Sequence, residues 1–173
     1  MWYDYENFEN AKEEEKEFYY YLGLLSTKFA TLETSLVDLI GCALKINVFI
    51  SNVTMERNSL SQNIDLLRKI IKYSGWEKER IEKLISKISA LRGSRNLFIH
   101  GIWGKPFQRK NGKFYVACRE AKLELLNTNN KPHFTFGKVH TFELDQIKTL
   151  TWDIRDIVVE IEKIFFDRED GLI

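Results

Sequence analysis

The sequence predicts a mainly α-helical fold, an antiparallel bundle of four to five helices with a small β-hairpin or β-meander insertion before the last helix. Apolar residues recur three and four positions apart over most of the chain, as in amphipathic helices. Strand-like composition is confined to about residues 113–136. With 9 glycines and 2 prolines in 173 residues and no low-complexity linker, the chain is expected to form a single domain over residues 1–173.

The composition is ordinary, but the charge is unevenly placed. With 44% apolar and 29% charged residues, the chain resembles a globular protein. The net charge of +1 argues against a protein that is basic throughout and binds nucleic acid by bulk charge, although it leaves local patches open. The charged residues within positions 4–17 are mostly acidic, and those within positions 105–122 are mostly basic. These segments are either functional or simply two solvated faces.

Signals for location are few. The two cysteines, Cys42 and Cys118, suggest neither a disulfide framework nor a zinc site, so a reducing compartment is expected. The first residues lack the basic and apolar regions of a signal peptide. No window reaches the roughly 18 apolar residues of a membrane span. We therefore expect a cytoplasmic protein without a membrane anchor.

The first predicted helix covers residues 11–45, where apolar residues from Phe18 to Ile46 recur with helical spacing. Residues 46–55 are rich in β-branched and aromatic side chains, which predicts a loop or a short extended piece. The N-terminal aromatic residues are expected to pack as an arm; they are Trp2, Tyr3, Tyr5 and Phe8.

A second helix is predicted over residues 60–73, capped by Ser59 or Ser61 and closed by Ser74-Gly75. The third covers residues 77–100 and stops at Gly101. Strands are predicted at 113–118, 121–126 and 133–136, with a turn over 127–132. A closing helix follows over about residues 143–166, with Thr141 near its start.

The third helix carries a charge on its packing face. On a helical wheel at about 100° per residue, Arg95 falls in the middle of the apolar arc that begins at Ile81. Asn96 lies about 100° further round and His100 about 140°, with Arg92 pointing between Arg95 and Asn96. A charge on a packing face is costly unless it is paired. Arg95 therefore needs either a carboxylate from another helix, such as Glu33 or Asp38, or an anion in a cavity or at a partner subunit.

The same residues also permit a structural interpretation. An arginine followed five residues later by a histidine arises by chance at ordinary composition. A histidine beside a C-terminal glycine is a favourable helix end in its own right. In this structural alternative, a core carboxylate neutralises Arg95, and we expect a monomer with a buried arginine–carboxylate pair.

Arg95-Asn96-x-x-x-His100-Gly101 at the end of the third helix resembles the motif of the HEPN superfamily (higher eukaryotes and prokaryotes nucleotide-binding domain). The family motif is an arginine, usually followed by a polar residue, with a histidine after a gap of four to six. The order of elements is also similar: a long first helix, two more helices, the motif, an insertion and a closing helix. The resemblance covers most of the chain, but only the motif is specific. The β insertion at residues 113–136 departs from the minimal HEPN-like bundle.

The resemblance implies a homodimer in which two Arg/His pairs meet across the interface, and a metal-independent endoribonuclease activity that needs no cofactor. Arg95 would then hold the scissile phosphate of RNA. His100 would act as general base or acid on the ribose 2′-OH or the leaving 5′-oxygen. Asn96 would orient the pair by hydrogen bonds. By family analogy, the expected role is in toxin–antitoxin systems, stress or phage defence, with an antitoxin or regulatory protein as a possible partner.

Weaker candidates for binding RNA surround the motif. Trp103 has the ring needed to stack on a base, and Lys105, Arg109 and Arg92 carry the charge needed to guide phosphates. For Trp103, packing after a helix end is the competing interpretation. His133 and His140 have no clear ligand partners, so no metal site is expected. The main alternative to an enzyme is a non-catalytic HEPN module that binds RNA or a nucleotide, or that only dimerises.

Overall fold

The computed structural model describes residues 12–128 and 131–169, and the side chains of these residues except 123–136 and 168–169. The described part contains five helices: α1 (Glu13–Leu44), α2 (Val48–Met55), α3 (Leu60–Ser74), α4 (Lys78–His100) and α5 (Leu144–Glu169). Six strands lie between α4 and α5: β1 (Ile102–Trp103), β2 (Phe107–Gln108), β3 (Phe114–Arg119), β4 (Leu123–Thr128), β5 (Lys131–Phe136) and β6 (Val139–Glu143). The prediction of a mainly helical chain with a small antiparallel β region before the last helix is confirmed. The predicted N-terminal aromatic arm lies outside the described residues.

The chain divides into two compact units, one of Met1–Ser26 and Asn96–Thr151 and the other of Thr27–Arg95 and Trp152–Ile173. Helices α1, α4 and α5 each pass from one unit to the other. In the first unit, buried residues come from both helices and strands; they include Phe18, Leu25, Phe98, Val116 and Ile147. In the second unit, the buried residues are helical; they include Leu32, Leu36, Leu67, Ile85 and Ile157. The single domain expected from the sequence stays a prediction.

Residues 46–55, predicted to be a loop or extended piece, contain helix α2, so this prediction was wrong. The Asn47 side chain caps the helix by accepting a hydrogen bond from the Phe49 backbone N–H at 2.8 Å. Ser51 and Met55 are buried. Ser51 packs so closely against Gly41 of α1 that a Cβ at position 41 would lie only 2.7 Å from the Ser51 hydroxyl oxygen. Tertiary packing and a cap outweigh the β preference of the branched side chains here.

Helices α3 and α4 follow the sequence prediction closely. Ser59 forms a full capping box with Gln62 at the start of α3. Gly75 ends α3 with a left-handed backbone (φ 68°), and its N–H donates to the Ile71 carbonyl. Within the second unit, Arg80 of α4 donates hydrogen bonds to two carboxylates of α5, Glu160 at 3.0 Å and Asp167 at 2.6 Å. Hydrogen bonds with these two carboxylates raise the pKa of Arg80.

The β region is longer than predicted, because β1, β2 and β6 flank the expected strands. Strand β3 pairs antiparallel with β1 and β2 along one edge and with β6 along the other, while β4 and β5 form a separate antiparallel pair. Glu143, where the closing helix was predicted to begin, and Thr141, expected near its start, both belong to β6. Helix α5 therefore begins at Leu144, after Glu143 donates its backbone N–H to the Gln146 side chain at 2.9 Å.

Helix α4 ends against strand β3 with very little space. The Gly101 backbone N–H donates to the Leu97 carbonyl at 2.8 Å. A Cβ added at Gly101 would collide with both the Cys118 Sγ and the Leu97 carbonyl oxygen. Burial raises the pKa of the Cys118 thiol to about 12, so it packs as a neutral group. Gly101 is required here by close approach.

No single helix among those described is both long and apolar enough to cross a membrane; the pair α1 and α2, bent by 119° where they meet, passes that test of length and composition only when taken together.

Gly101→Ala should lower the free energy of unfolding by about 1–3 kcal/mol, because a methyl group must displace Cys118 or the end of α4. Gly93→Ala is the matched control, since nothing lies within 4 Å of a Cβ at that exposed helical position. It should raise stability by about 0.5–1 kcal/mol through helix propensity. Urea denaturation measures both changes. Equal effects of the two substitutions would contradict the close approach at Gly101.

Candidate active site

Helix α4 shows the change of character that the sequence predicted. Ile81, Leu84, Ile85 and Ile88 are buried, at 0–1% exposure, which confirms the apolar arc. Arg95 follows on the same arc and is half-buried, with 26% of its side chain exposed. The packing face of α4 in the second unit therefore ends in a cation.

Arg95 is paired with a carboxylate on α1. Its Nε donates to Glu33 Oε1 at 2.8 Å, and the Glu33 side chain is 33% exposed. The other carboxylate named from the sequence, Asp38, instead accepts a hydrogen bond from Asn52 Nδ2 at 3.0 Å. The structural alternative requires an arginine–carboxylate pair that is buried. Here the pair exists, with a quarter to a third of each side chain exposed.

Arg92, one turn earlier, points to solvent. Its Nη1 donates to the Ser61 hydroxyl of α3 at 2.9 Å. A neutral hydroxyl leaves the positive charge of Arg92 uncompensated by this contact. Arg92 and Arg95 thus supply two cations on neighbouring parts of α4 in the same unit.

Asn96 and His100 belong to the first unit and are both exposed. They lie on the final turn and a half of α4.

Trp103 lies in an aromatic cluster of the first unit. Its ring centroid lies 5.5 Å from Phe18, 5.2 Å from Phe98 and 5.8 Å from Phe142. Its Nε1 donates to the Phe98 carbonyl at 3.4 Å. The packing interpretation of Trp103 accounts for these contacts, and stacking of this ring on a base would require it to leave the cluster.

The hairpin of β2 and β3 carries an exposed cation on two aromatic rings, a feature that sequence reasoning found only in part. The Arg109 guanidinium lies 4.3 Å from the Tyr115 ring centroid and 5.8 Å from that of Phe107. Such a stack holds an arginine in place while leaving its charge exposed. Phe107 and Tyr115, which pair across the hairpin, were missed as partners of Arg109.

The lysines of the basic segment differ in their surroundings. Lys105 and Lys110 are exposed. Lys113 forms an ion pair with Glu143, Nζ to Oε1 at 2.6 Å, and this contact raises the pKa of Lys113. Lys113 is thus partly compensated within its own unit.

His140 has a structural partner away from the motif. Its Nε2 lies 3.0 Å from Glu120 Oε1, and the hydrogen bond holds the pKa of the Glu120 carboxyl below its usual range. The side chain of His133 lies outside the described side chains. No group of three or more histidine, cysteine or acidic residues within the described chain is placed to hold a metal ion.

Comparison with protein-family models, curated proteins and solved structures gives no significant match.

A double-mutant cycle with Arg95→Ala and Glu33→Ala should give a coupling of about 0.5–1 kcal/mol in the free energy of unfolding, as for a half-exposed ion pair. The matched cycle with Arg95→Ala and Asp38→Ala should give a coupling near zero, since Asp38 is bound by Asn52 instead. Urea denaturation supplies both values. Coupling to Asp38 in place of Glu33 would contradict the pairing described.

Proposed function

We propose that this protein is a metal-independent endoribonuclease of the HEPN type, with Arg95 and His100 as its catalytic residues. The observation that carries the proposal is the end of α4, where a half-buried guanidinium on the packing arc is followed by an exposed amide and an exposed imidazole. The half-exposed ion pair with Glu33 holds the guanidinium in a fixed position. The predominance of helices, with a β region before the last one, is compatible with a HEPN-like antiparallel bundle.

The proposed reaction uses the ribose itself as the nucleophile. The 2′-oxygen attacks the adjacent phosphorus while the bond to the 5′-oxygen breaks, which leaves a 2′,3′-cyclic phosphate and a 5′-hydroxyl. His100 either accepts the proton of the 2′-OH while water protonates the leaving 5′-oxygen, or donates a proton to that oxygen while water accepts the proton of the 2′-OH. Arg95 offsets the negative charge that grows on the phosphoryl oxygens, and Asn96 orients the substrate or the imidazole.

The exposed cations support RNA as the substrate. Arg92, Arg109 and Lys105 are exposed and carry charge for phosphates, and the Arg109 stack adds exposed aromatic edges for bases. Trp103 contributes to the fold of the first unit in this proposal. The homodimer, a cytoplasmic location, an antitoxin or regulatory partner and a role in stress or phage defence remain predictions from the resemblance.

One observation favours a second candidate. Because the Nε of Arg95 already donates to Glu33, a part of its hydrogen-bonding capacity is used within the protein. In a non-catalytic HEPN module that binds RNA through the exposed cations, or that only dimerises, the role of Arg95 would be limited to its ion pair with Glu33. Cleavage assays separate the two candidates.

The purified protein should cleave RNA in the presence of EDTA, and Arg95→Ala and His100→Ala should each lower the rate by at least about 100-fold, the range of general acid–base and electrostatic contributions. A substrate with 2′-deoxyribose at the cleaved position should resist. His140→Ala is the matched histidine control and should retain activity, since His140 is paired with Glu120. Product ends are identified by mass spectrometry.

Loss of cleavage in His140→Ala but not in His100→Ala would contradict the assignment of the motif. RNA binding without cleavage by the wild type would favour the non-catalytic module.

A further inference from the structure

A polar cavity of about 330 Å³ opens in the second unit, lined by α1, α2 and the start of α3. Its volume falls at the lower end of the range for small-molecule sites. The asparagines and glutamates that line it come from these helices and from the loop between α2 and α3; they are Glu33, Asn52, Glu56, Asn58 and Asn63. The cavity thus contains both hydrogen-bond donors and acceptors.

Asn63 gives the cavity a poised donor. The residue is only 4% exposed, and its Oδ1 accepts a hydrogen bond from Asn58 Nδ2 at 2.9 Å. Its Nδ2 donates to no group in the described part of the chain. This amide nitrogen is not fully buried, so it can donate to solvent or to a ligand acceptor in the cavity.

The acceptors of the lining favour a ligand with N–H donors. Two carboxylates, Glu33 and Glu56, line the cavity, and each forms an ion pair with an arginine outside the lining, Arg95 and Arg57 respectively. The carboxylate lone pairs that these ion pairs do not use can accept hydrogen bonds from a ligand. The nearly buried Val37, Met55 and Leu60 add apolar surface for a flat ring. Adenine, cytosine and guanine have this combination of exocyclic amino group, ring acceptor and apolar face, whereas uracil lacks the amino group.

Glu33 connects the cavity to the motif. It lines the cavity and also accepts the hydrogen bond from Arg95 Nε at 2.8 Å. A phosphate bound by the Arg95 guanidinium would thus be separated from the cavity by the Glu33 side chain alone. The base of a nucleotide next to that phosphate is the part of RNA within reach of the cavity.

We propose that this cavity is a base-binding subsite, which takes an amino-bearing base of an RNA nucleotide adjacent to the phosphate held by Arg95. This inference rests on the proposed function, because it assumes that the phosphate at Arg95 belongs to RNA. Asn63 donates to an unprotonated ring nitrogen, which adenine, cytosine and guanine have and uracil lacks, and Glu56 or Glu33 accepts from the exocyclic amino group.

Fluorescence anisotropy with labelled, uncleavable 2′-O-methyl oligonucleotides tests the subsite by binding alone. The probes are an all-uridine strand and three strands with a single central adenosine, cytidine or guanosine. The wild type should bind at least one of the three about tenfold more tightly than all-uridine, as expected for one good amide or carboxylate contact to a base. Asn63→Ala should abolish this preference while leaving the affinity for all-uridine unchanged.

Two further variants keep the result interpretable. Glu56→Gln should reduce the preference for the amino-bearing base. Because the Glu56 side chain is largely exposed, this variant is expected to fold even if Asn63→Ala does not. Asn111→Ala, an exposed asparagine of the hairpin, is the matched control and should leave the preference intact. Equal binding of all four strands by the wild type, or a preference that survives both cavity substitutions, would overturn the subsite.

The subsite and the catalytic proposal fail separately. Cleavage of RNA without any base preference in binding would overturn the subsite and leave the ribonuclease intact. A base preference that depends on Asn63, in a protein that cleaves no RNA, would support the subsite within a binding module.

Discussion

The ion pair between Arg95 and Glu33 is the constraint on which the interpretation of this protein depends. An arginine on the packing arc of α4 needs a compensating anion, and Glu33 of α1 supplies it at 2.8 Å. The pair is partly exposed, and it fixes the position of the guanidinium on α4. Glu33 also lines the polar cavity beside α2, so the residue that binds Arg95 forms part of the cavity wall.

Long elements with a clear apolar period were predictable, whereas short elements were not. The repeats of α1, α3, α4 and α5 each extend over several turns, so the buried stripe identifies the helix. Helix α2 has eight residues with branched side chains, and it depends on the Asn47 cap and on Ser51 packing against Gly41. Strands β1 and β2 have two residues each, too few for alternation, and they exist because β3 pairs with them.

At the candidate site, the need for an ion pair was predictable from the sequence, whereas the identity of the partner and the cavity were not. The need of Arg95 for an anion followed from its position on the wheel, and Glu33 was one of the two carboxylates named. The choice between Glu33 and Asp38 depends on the rotation of packed helices, which local sequence does not encode. The polar cavity was not predictable, because its α2 wall was expected to be a loop and because the amide of Asn63 is oriented by Asn58.

An NMR titration of the Arg95 Nε–Hε resonance with a 2′-O-methyl RNA strand would report directly on whether this guanidinium contacts RNA phosphate. The resonance can be assigned by its loss in Arg95→Lys. If Arg95 binds the phosphate, the resonance shifts in a saturable manner at the concentrations at which RNA binds. A resonance that stays fixed while RNA saturates the protein would mean that Arg95 serves only the ion pair with Glu33, and that the motif is structural.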